Sequence, residues 1–185
     1  MKSVTSKTKH EYSKIVSAMG PMHEKHYAFR NVDRKLKFLK TMKIYKKYFE
    51  SYENLQFDFS QTNRTDIVIK QTTVGDKQPK ANKIDYFKWL EMYKNLITKI
   101  NKFSDSEYVS LQDMNGENFK MYNNEMIVID ENKVNLHANL NCAKNECIYG
   151  AYAYLTANPD KYRNLSPYYT SKKILDTIEE AFYGI

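Results

Sequence analysis

The hydrophobic positions of this chain recur at two spacings, one typical of helices and one typical of strands. Between residues 30 and 52 the apolar side chains recur every three to four positions, which predicts an amphipathic helix. A second helix is predicted over about residues 83–103. Two more follow, one from Asn141 to Ala157 and a last one capped by Thr170 or Ser171.

Ahead of these, the pattern predicts a short helix from Lys7 to Met19, halted by Gly20 and Pro21. Elsewhere apolar and polar residues alternate, which predicts antiparallel strands separated by turn residues. These strands are expected at residues 55–59, 66–74, 118–121, 125–129 and 134–140.

The sequence therefore predicts an α+β fold, with about four to five helices around a small antiparallel β-meander. At 185 residues the chain is expected to form a single domain, 1–185. One linker-like stretch, GDKQPKAN at residues 75–82, suggests a subdivision into a basic helical and hairpin part, 1–78, and an α+β part, 79–185.

Composition narrows the class of protein. Hydrophobic residues make up 42% and aromatic residues 14%, which excludes wholesale disorder. Two cysteines, a polar N-terminus and the lack of a long apolar run predict an intracellular, cytoplasmic protein that is not bound to a membrane. No G-x-x-x-x-G-K or G-x-G-x-x-G run occurs, and no cofactor is predicted.

The positive charge is concentrated in one predicted helix. The segment from Arg30 to Phe49 contains eight basic residues against one acid, Asp33, a net +7 that equals the net charge of the whole chain. The basic residues are Arg30, Arg34, Lys35, Lys37, Lys40, Lys43, Lys46 and Lys47. Such a concentrated field attracts polyanions, although a run of charge can also be only a solvated outer face.

This charge predicts a non-enzymatic accessory protein that binds nucleic acid or another polyanion through the helix at residues 30–52. Tyr48 is expected to stack on exposed bases. Because most of the charge is lysine, attraction to the phosphate backbone should dominate over base reading. The residues predicted to bind nucleic acid are Arg30, Arg34, Lys37, Lys40, Lys43, Lys47 and Tyr48.

A second hypothesis is a structural or inhibitory protein that docks on a protein assembly or a protein–nucleic-acid complex. Sixteen tyrosines supply the side chain that is enriched in the cores of interfaces. The abundance of lysine, asparagine and tyrosine is typical of AT-rich genomes, including those of phages and large viruses.

A third hypothesis is a metal-dependent nuclease. Asp113 precedes a predicted hairpin and Glu131-Asn-Lys133 follows its second strand, an order that resembles PD-(D/E)xK nucleases across about residues 84–157. On an extended strand Glu131 and Lys133 would share one face and could converge on one ion. The stretch Asp130 to Lys133 is equally good turn chemistry.

The remaining metal-ligand types do not form a standard site. His23-x-x-His26 lacks the spacing of a zinc finger, and Cys142 and Cys147 diverge by about 140° on a helix. We expect two buried cysteines that behave as small hydrophobic residues, and no metal. No G-x-S-x-G elbow occurs either, so a nucleophilic triad has no support.

Overall fold

The computed structural model describes residues 4–7, 12–74, 85–114, 118–158, 162, 164–183 and 185. It contains long helices and antiparallel strands, so the predicted α+β class is confirmed. The chain forms two compact units, Met1–Thr73 (unit 1) and Val74–Ile185 (unit 2). The predicted linker near residue 79 lies outside the described residues.

Unit 1 contains a five-stranded antiparallel sheet in the order β1-β2-β3-β5-β4. Side chains alternate along β3, where Lys25, Tyr27 and Phe29 are buried and the residues between them are exposed. The strands are β1 (Val4–Lys7), β2 (Tyr12–Met19), β3 (Met22–Phe29), β4 (Phe57–Gln61) and β5 (Asp66–Thr72).

The predicted helix at residues 7–19 is wrong, because β2 occupies most of that segment. Residues 12–19 pair with β3 along their whole length, from Tyr12 opposite Phe29 to Met19 opposite Met22. The punctuation at Gly20 is a hairpin turn, and its φ of +64° is a conformation that glycine adopts without strain. A short apolar run such as Ile15-Val16 fits both the helical and the strand periodicity. Pairing with β3 makes this segment a strand.

The strongly predicted helix at residues 30–52 is confirmed as α1 (Val32–Phe49). Asn31 is its N-terminal cap, since the side-chain oxygen accepts from the amide of Arg34 at 2.9 Å. Its apolar face packs on the sheet of unit 1. The Tyr45 and Phe57 rings meet edge to face with centroids 4.9 Å apart.

Within its described residues, unit 2 combines three long helices with two strand pairs. The helices are α2 (Tyr86–Asn101), α3 (Leu140–Thr156) and α4 (Pro167–Ala181). The strands are β6 (Tyr108–Leu111), β7 (Phe119–Tyr122), β8 (Glu125–Val128) and β9 (Val134–His137), with β6 paired to β9 and β7 to β8. A single 3-10 turn, Glu131–Lys133, joins β8 to β9.

Two predicted helix starts are shifted. Asn139, and not Asn141, caps α3, because its side chain accepts from the amides of Asn141 and Cys142. The last helix begins at Pro167 and not after Thr170, since proline is favoured in the first turn, where its missing N–H costs nothing. None of the helices in the described part of the chain is long and apolar enough to span a bilayer.

The core of unit 2 holds β6 firmly against two helices. The Trp89 and Tyr154 rings stack with centroids 4.0 Å apart. On α2, Asn101 receives the amide of Val109 at 2.8 Å and donates to its carbonyl at 3.0 Å. On α3, a Cβ added to Gly150 would lie 3.3 Å from the Leu111 carbonyl oxygen, so glycine permits close approach to β6. Contacts from α2 and α3 therefore fix the position of β6.

Candidate functional site

The basic helix α1 presents most of its charge to solvent. Arg30, Lys37, Lys40, Lys43 and Lys47 are exposed, and Arg34 is partly buried. Two other lysines have protein partners: Lys35 is buried and donates to the Asn63 carbonyl at 2.6 Å, and the partly exposed Lys46 pairs with Glu50 at 2.8 Å. That nucleic acid, another polyanion or a protein assembly meets the exposed side chains stays a prediction.

The expected role of Tyr48 is wrong. Its side chain is fully buried, and its ring contacts those of Tyr45 and Tyr52 at centroid distances of 5.9 and 5.5 Å. A ring enclosed in this way cannot stack on a base. The helical spacing of Tyr45, Tyr48 and Tyr52 places them on the core side of α1, which is the packing that the same pattern also predicts.

The two cysteines differ in exposure, so the prediction that both are buried is wrong for Cys142. Cys142 is exposed on α3, whereas Cys147 is buried on the same helix. Burial raises the pKa of the Cys147 thiol to about 12. Within the described residues, no group of three or more His, Cys, Asp or Glu side chains is placed to hold a metal ion.

The nuclease hypothesis placed Glu131 and Lys133 on one face of a strand, and this is wrong. Both residues lie in the 3-10 turn between β8 and β9, where side chains two apart do not share a face. Glu131 is fully buried. Lys133 instead pairs with Asp113, with 2.5 Å between Nζ and Oδ2. The structure therefore brings together two of the three candidates and removes the third.

Asp113 lies immediately after β6 in an unusual backbone conformation. Its φ is +53°, a left-handed backbone conformation that residues other than glycine rarely adopt. Such residues cluster at functional sites. The residue before it, Gln112, extends the pairing with β9 by donating its amide to the Lys133 carbonyl at 2.9 Å. The turn at Asp113 thus aims an exposed carboxylate away from a rigid strand.

Asn118 is hydrogen-bonded to Asp113. Its side-chain nitrogen donates to the Asp113 carbonyl oxygen at 2.6 Å, and the residue is only 8% exposed. On its other side, the Asn118 carbonyl accepts the amide of Ile129 at 2.9 Å. One residue is therefore joined both to the Asp113 turn and to the segment that leaves β8.

Asp130 follows Ile129 directly and is held by the next turn. Its carbonyl accepts the amide of Lys133 at 3.0 Å. Asp113, Asn118, Asp130 and Lys133 thus belong to one hydrogen-bonded junction, formed where β6, β7, β8 and the 3-10 turn meet. We call these four residues the acidic junction.

Asn118 and Asp130 were not predicted from the sequence as site residues. A signal for both was present: Asp113 and Asn118 are separated by four residues, and Asp130 ends the apolar run Met126–Ile129. An aspartate and an asparagine separated by four residues, followed by a hairpin and a second aspartate, form a spaced motif. The sequence pattern was interpreted only as a hairpin with turn residues.

A second polar cluster fastens the junction's strands to α3. The Glu146 carboxylate receives Asn135 Nδ2 at 2.9 Å, lies 2.9 Å from His137 Nε2 and accepts the Ser110 hydroxyl. Burial opposes ionisation of Glu146, but the hydrogen bonds from Ser110, Asn135 and His137 outweigh it and lower the pKa of this carboxyl. Ser110 and Glu146 both meet Nε2 of the imidazole, so the cluster lacks the relay order of a nucleophilic triad.

Unit 1 contains a buried lysine on its third strand. Lys25 is 5% exposed, and its Nζ donates to Gln71 Oε1 at 3.0 Å. Gln71 in turn donates from Nε2 to the Tyr45 hydroxyl at 3.1 Å. A lysine this deeply buried is uncommon, because the ammonium group loses much of its hydration.

Comparison with known proteins gives no match by sequence, whereas 22 chains of solved structures match by fold. No protein-family model matches this chain, and no curated protein sequence matches it. Among solved structures, the chain is similar to a protein described as "Macrolide 2'-phosphotransferase type I", at 9% sequence identity and a TM-score of 0.47. The match covers 97% of this chain and 76% of the other.

The prediction of a non-enzymatic nucleic-acid-binding or polyanion-binding accessory protein is corrected, since the solved structure named above is described as an enzyme. The buried ring of Tyr48 removes the one aromatic contact on which that prediction also depended. The charged residues that suggested this function lie on the exposed face of α1, whose other face is buried.

Proposed function

We propose that this chain is a phosphoryl-transfer enzyme, which moves the terminal phosphoryl group of a magnesium-bound nucleoside triphosphate to a hydroxyl acceptor. One observation carries the proposal: Asp113 and Asn118, which are separated by four residues, are hydrogen-bonded to each other and, through Ile129, to the segment that presents Asp130. The proposal depends on the geometry of unit 2 alone.

The roles follow from the chemistry of phosphoryl transfer, in which the protein positions reactants and stabilises charge. Protein kinases use an Asp-x-x-x-x-Asn loop, where the aspartate accepts the proton of the attacking hydroxyl and the asparagine binds a metal ion. A second aspartate, which follows a short hairpin, binds metal as well. Asp113 matches the base, and Asn118 and Asp130 match the two metal-binding positions.

The donor atoms fit magnesium. This ion prefers oxygen ligands and is commonly bound by one or two carboxylates, with phosphate and water oxygens completing its shell. Asn118 gives its side-chain nitrogen to the Asp113 carbonyl, which leaves Oδ1 as the amide atom suited to a cation. Asp130 contributes a partly buried carboxylate. When bound, the metal would neutralise charge on the phosphates.

The chain departs from the kinase pattern in several places. Leu111 and Gln112 replace the His-Arg that precedes the catalytic aspartate, and Glu131 and Asn132 follow Asp130 in place of Phe-Gly. No G-x-G-x-x-G run covers the phosphates. Phosphate binding therefore depends on other hydrogen-bond donors.

The direct test is magnesium-dependent binding and turnover of ATP by the full chain. We expect saturable binding that requires Mg²⁺, and loss of both binding and turnover in Asp130→Asn. Asp113→Asn should retain binding and lose turnover, since the base does not hold the metal. Asp176→Asn, at an exposed position of α4, is the matched control. Unchanged binding and turnover in Asp130→Asn would refute the assignment.

The intracellular location expected from the cysteine content stays a prediction, and an intracellular enzyme would have nucleoside triphosphates available. Neither a cofactor nor a metal was predicted from the sequence, and in the proposed function that expectation is replaced by a magnesium ion that the nucleotide delivers. Omission of Mg²⁺ from the binding assay distinguishes the two.

A further inference from the structure

The amine of Lys133 lies 2.5 Å from Oδ2 of Asp113, the carboxylate to which the proposed function assigns proton transfer. The lysine side chain is 22% exposed and the aspartate side chain 51%. The two side chains therefore differ in exposure. The lysine is largely enclosed by protein, whereas the carboxylate is exposed to the solvent from which an acceptor must come.

The backbone of Lys133 is fixed at the same junction. Its amide donates to the Asp130 carbonyl at 3.0 Å, and its carbonyl accepts the amide of Gln112 at 2.9 Å. Lys133 is thus tied both to the proposed metal-binding residue and to the residue before the proposed base. Its position is set by secondary structure rather than by a mobile loop tip.

This placement has a consequence for the reacting atoms. A general base lies about 2.6–3.2 Å from the hydroxyl whose proton it accepts. That hydroxyl oxygen must in turn lie about 3–3.5 Å from the phosphorus it attacks. An ammonium group in contact with the base is therefore within reach of the phosphoryl oxygens, and lysine carries three N–H donors.

We infer that Lys133 binds the terminal phosphoryl group of the nucleotide and stabilises its charge during transfer; this inference rests on the proposed function. The acceptor oxygen forms a bond to phosphorus, the bond from phosphorus to the bridging oxygen of the leaving diphosphate breaks, and the hydroxyl proton passes to Asp113. Lys133 keeps its protons throughout. Fixed cations aimed at transferring phosphoryl groups are a general means of lowering this barrier.

A purely structural role makes a different prediction. If Lys133 only orients Asp113, its removal changes turnover and stability but treats ATP and ADP alike, because the base does not discriminate between them. If Lys133 touches the terminal phosphoryl group, its removal weakens ATP binding selectively. ATP and ADP differ by that single group, so their affinity ratio reports the contact.

The experiment measures the dissociation constants of ATP and of ADP, with Mg²⁺, for the full chain by calorimetry. The variants are Lys133→Met and Lys133→Arg, with Lys144→Met as the control, since Lys144 pairs with Glu179 at 2.6 Å elsewhere in unit 2. We expect Lys133→Met to weaken ATP binding about tenfold and ADP binding less than about twofold, the loss of one charge-assisted contact. Lys133→Arg and Lys144→Met should keep the wild-type ratio.

The outcomes separate the two claims. If wild-type protein binds both nucleotides and Lys133→Met leaves the ATP-to-ADP ratio unchanged, the inference about Lys133 is wrong while the proposed function stands. If the wild-type protein binds neither nucleotide, the proposed function fails and the inference with it. Thermal melting of each variant shows that it is folded, and Lys133→Gln replaces the methionine variant if that one does not fold.

Discussion

The side-chain nitrogen of Asn118 donates a hydrogen bond to the backbone carbonyl of Asp113 at 2.6 Å. Asp113 follows β6, and Asn118 directly precedes β7. Asp113 has a φ of +53°, a conformation that persists when surrounding contacts support it. Asn118 supplies part of that support and also anchors the residue that leads into Asp130.

Substitution of Asn118 separates its structural role from its chemical role. Asn118→Leu removes both the donor and the oxygen, whereas Asn118→Asp removes the donor and keeps an oxygen. Urea unfolding should show a loss of about 1–2 kcal/mol in both variants, the cost of a lost hydrogen bond at a buried group. Only Asn118→Leu should abolish magnesium-dependent ATP binding.

The control for this pair is Asn145→Ala, at an exposed position of α3, which should change stability by no more than about 0.5 kcal/mol. Equal nucleotide affinity in the aspartate and leucine variants would show that the Asn118 oxygen does not contact the metal.

Gly150 determines how closely α3 approaches β6. A Cβ at this position would lie 3.0 Å from the Tyr93 hydroxyl oxygen and 3.3 Å from the Leu111 carbonyl oxygen. Gly150→Ala should therefore lower the free energy of unfolding by about 1–3 kcal/mol, the usual cost of overpacking. Because Leu111 lies two residues before Asp113, turnover should fall as well.

The double variant Gly150→Ala with Tyr93→Phe tests the cause. Removal of the hydroxyl removes the nearest clash, so the double variant should be less destabilised than the sum of the two single variants. Strictly additive losses, measured by urea unfolding, would show that the clash is not with Tyr93.

The Glu146 cluster predicts a pH dependence of stability. Hydrogen bonds lower the pKa of Glu146 in the folded protein below its ordinary value of about 4.3. The folded state therefore stabilises the ionised carboxylate more than the unfolded state does. This stabilisation is fully present above the unfolded pKa and is lost as the pH falls through the folded pKa. The free energy of unfolding should therefore decline on acidification from pH 5, and less steeply in Glu146→Gln.

A matched control for this titration is Glu179→Gln, at an exposed position of α4. If Glu146→Gln shows the same acid-limb slope as the wild type, the carboxyl titrates alike in the folded and unfolded chains and the cluster does not stabilise its ionised form.

The two cysteines should react at different rates. Cys142 is exposed, whereas Cys147 is enclosed and burial raises its pKa to about 12, so little of its reactive thiolate exists at neutral pH. Titration with a chromogenic disulfide reagent should modify one thiol per native chain and two in denaturant. In Cys142→Ser no thiol should react before unfolding, and rapid reaction there would place Cys147 at the surface.

Much of the fold could be predicted because the longer elements have a clear period. The helix at α1 and the hairpin of β7 and β8 follow from apolar spacing and from Asn123-Asn124, whose φ values of 49° and 66° suit a two-residue hairpin turn. The N-terminal hairpin was missed, because β2 gains its identity only by pairing with β3, and a short apolar run does not reveal its partner.

The candidate site could be predicted only in part, and for a related reason. Asp113 and Lys133 were singled out, but for a pairing on a strand that the 3-10 turn rules out. Asn118 and Asp130 can be recognised as site residues only from the structure, in which the Ile129 amide donates to the Asn118 carbonyl. The net charge of α1 can be counted directly from the sequence. The position of a reactive site depends instead on a few side chains that turns bring together.

The central claim is that the acidic junction binds a magnesium-bound nucleotide through Asn118 and Asp130. The most direct measurement is the dissociation constant of ATP for wild-type protein and for Asp130→Asn, with and without Mg²⁺, and with Asp176→Asn as the control. We predict Mg²⁺-dependent binding by the wild type and the control, and loss of that binding in Asp130→Asn. Binding that is absent in the wild type, or that Asp130→Asn leaves intact, would contradict the claim.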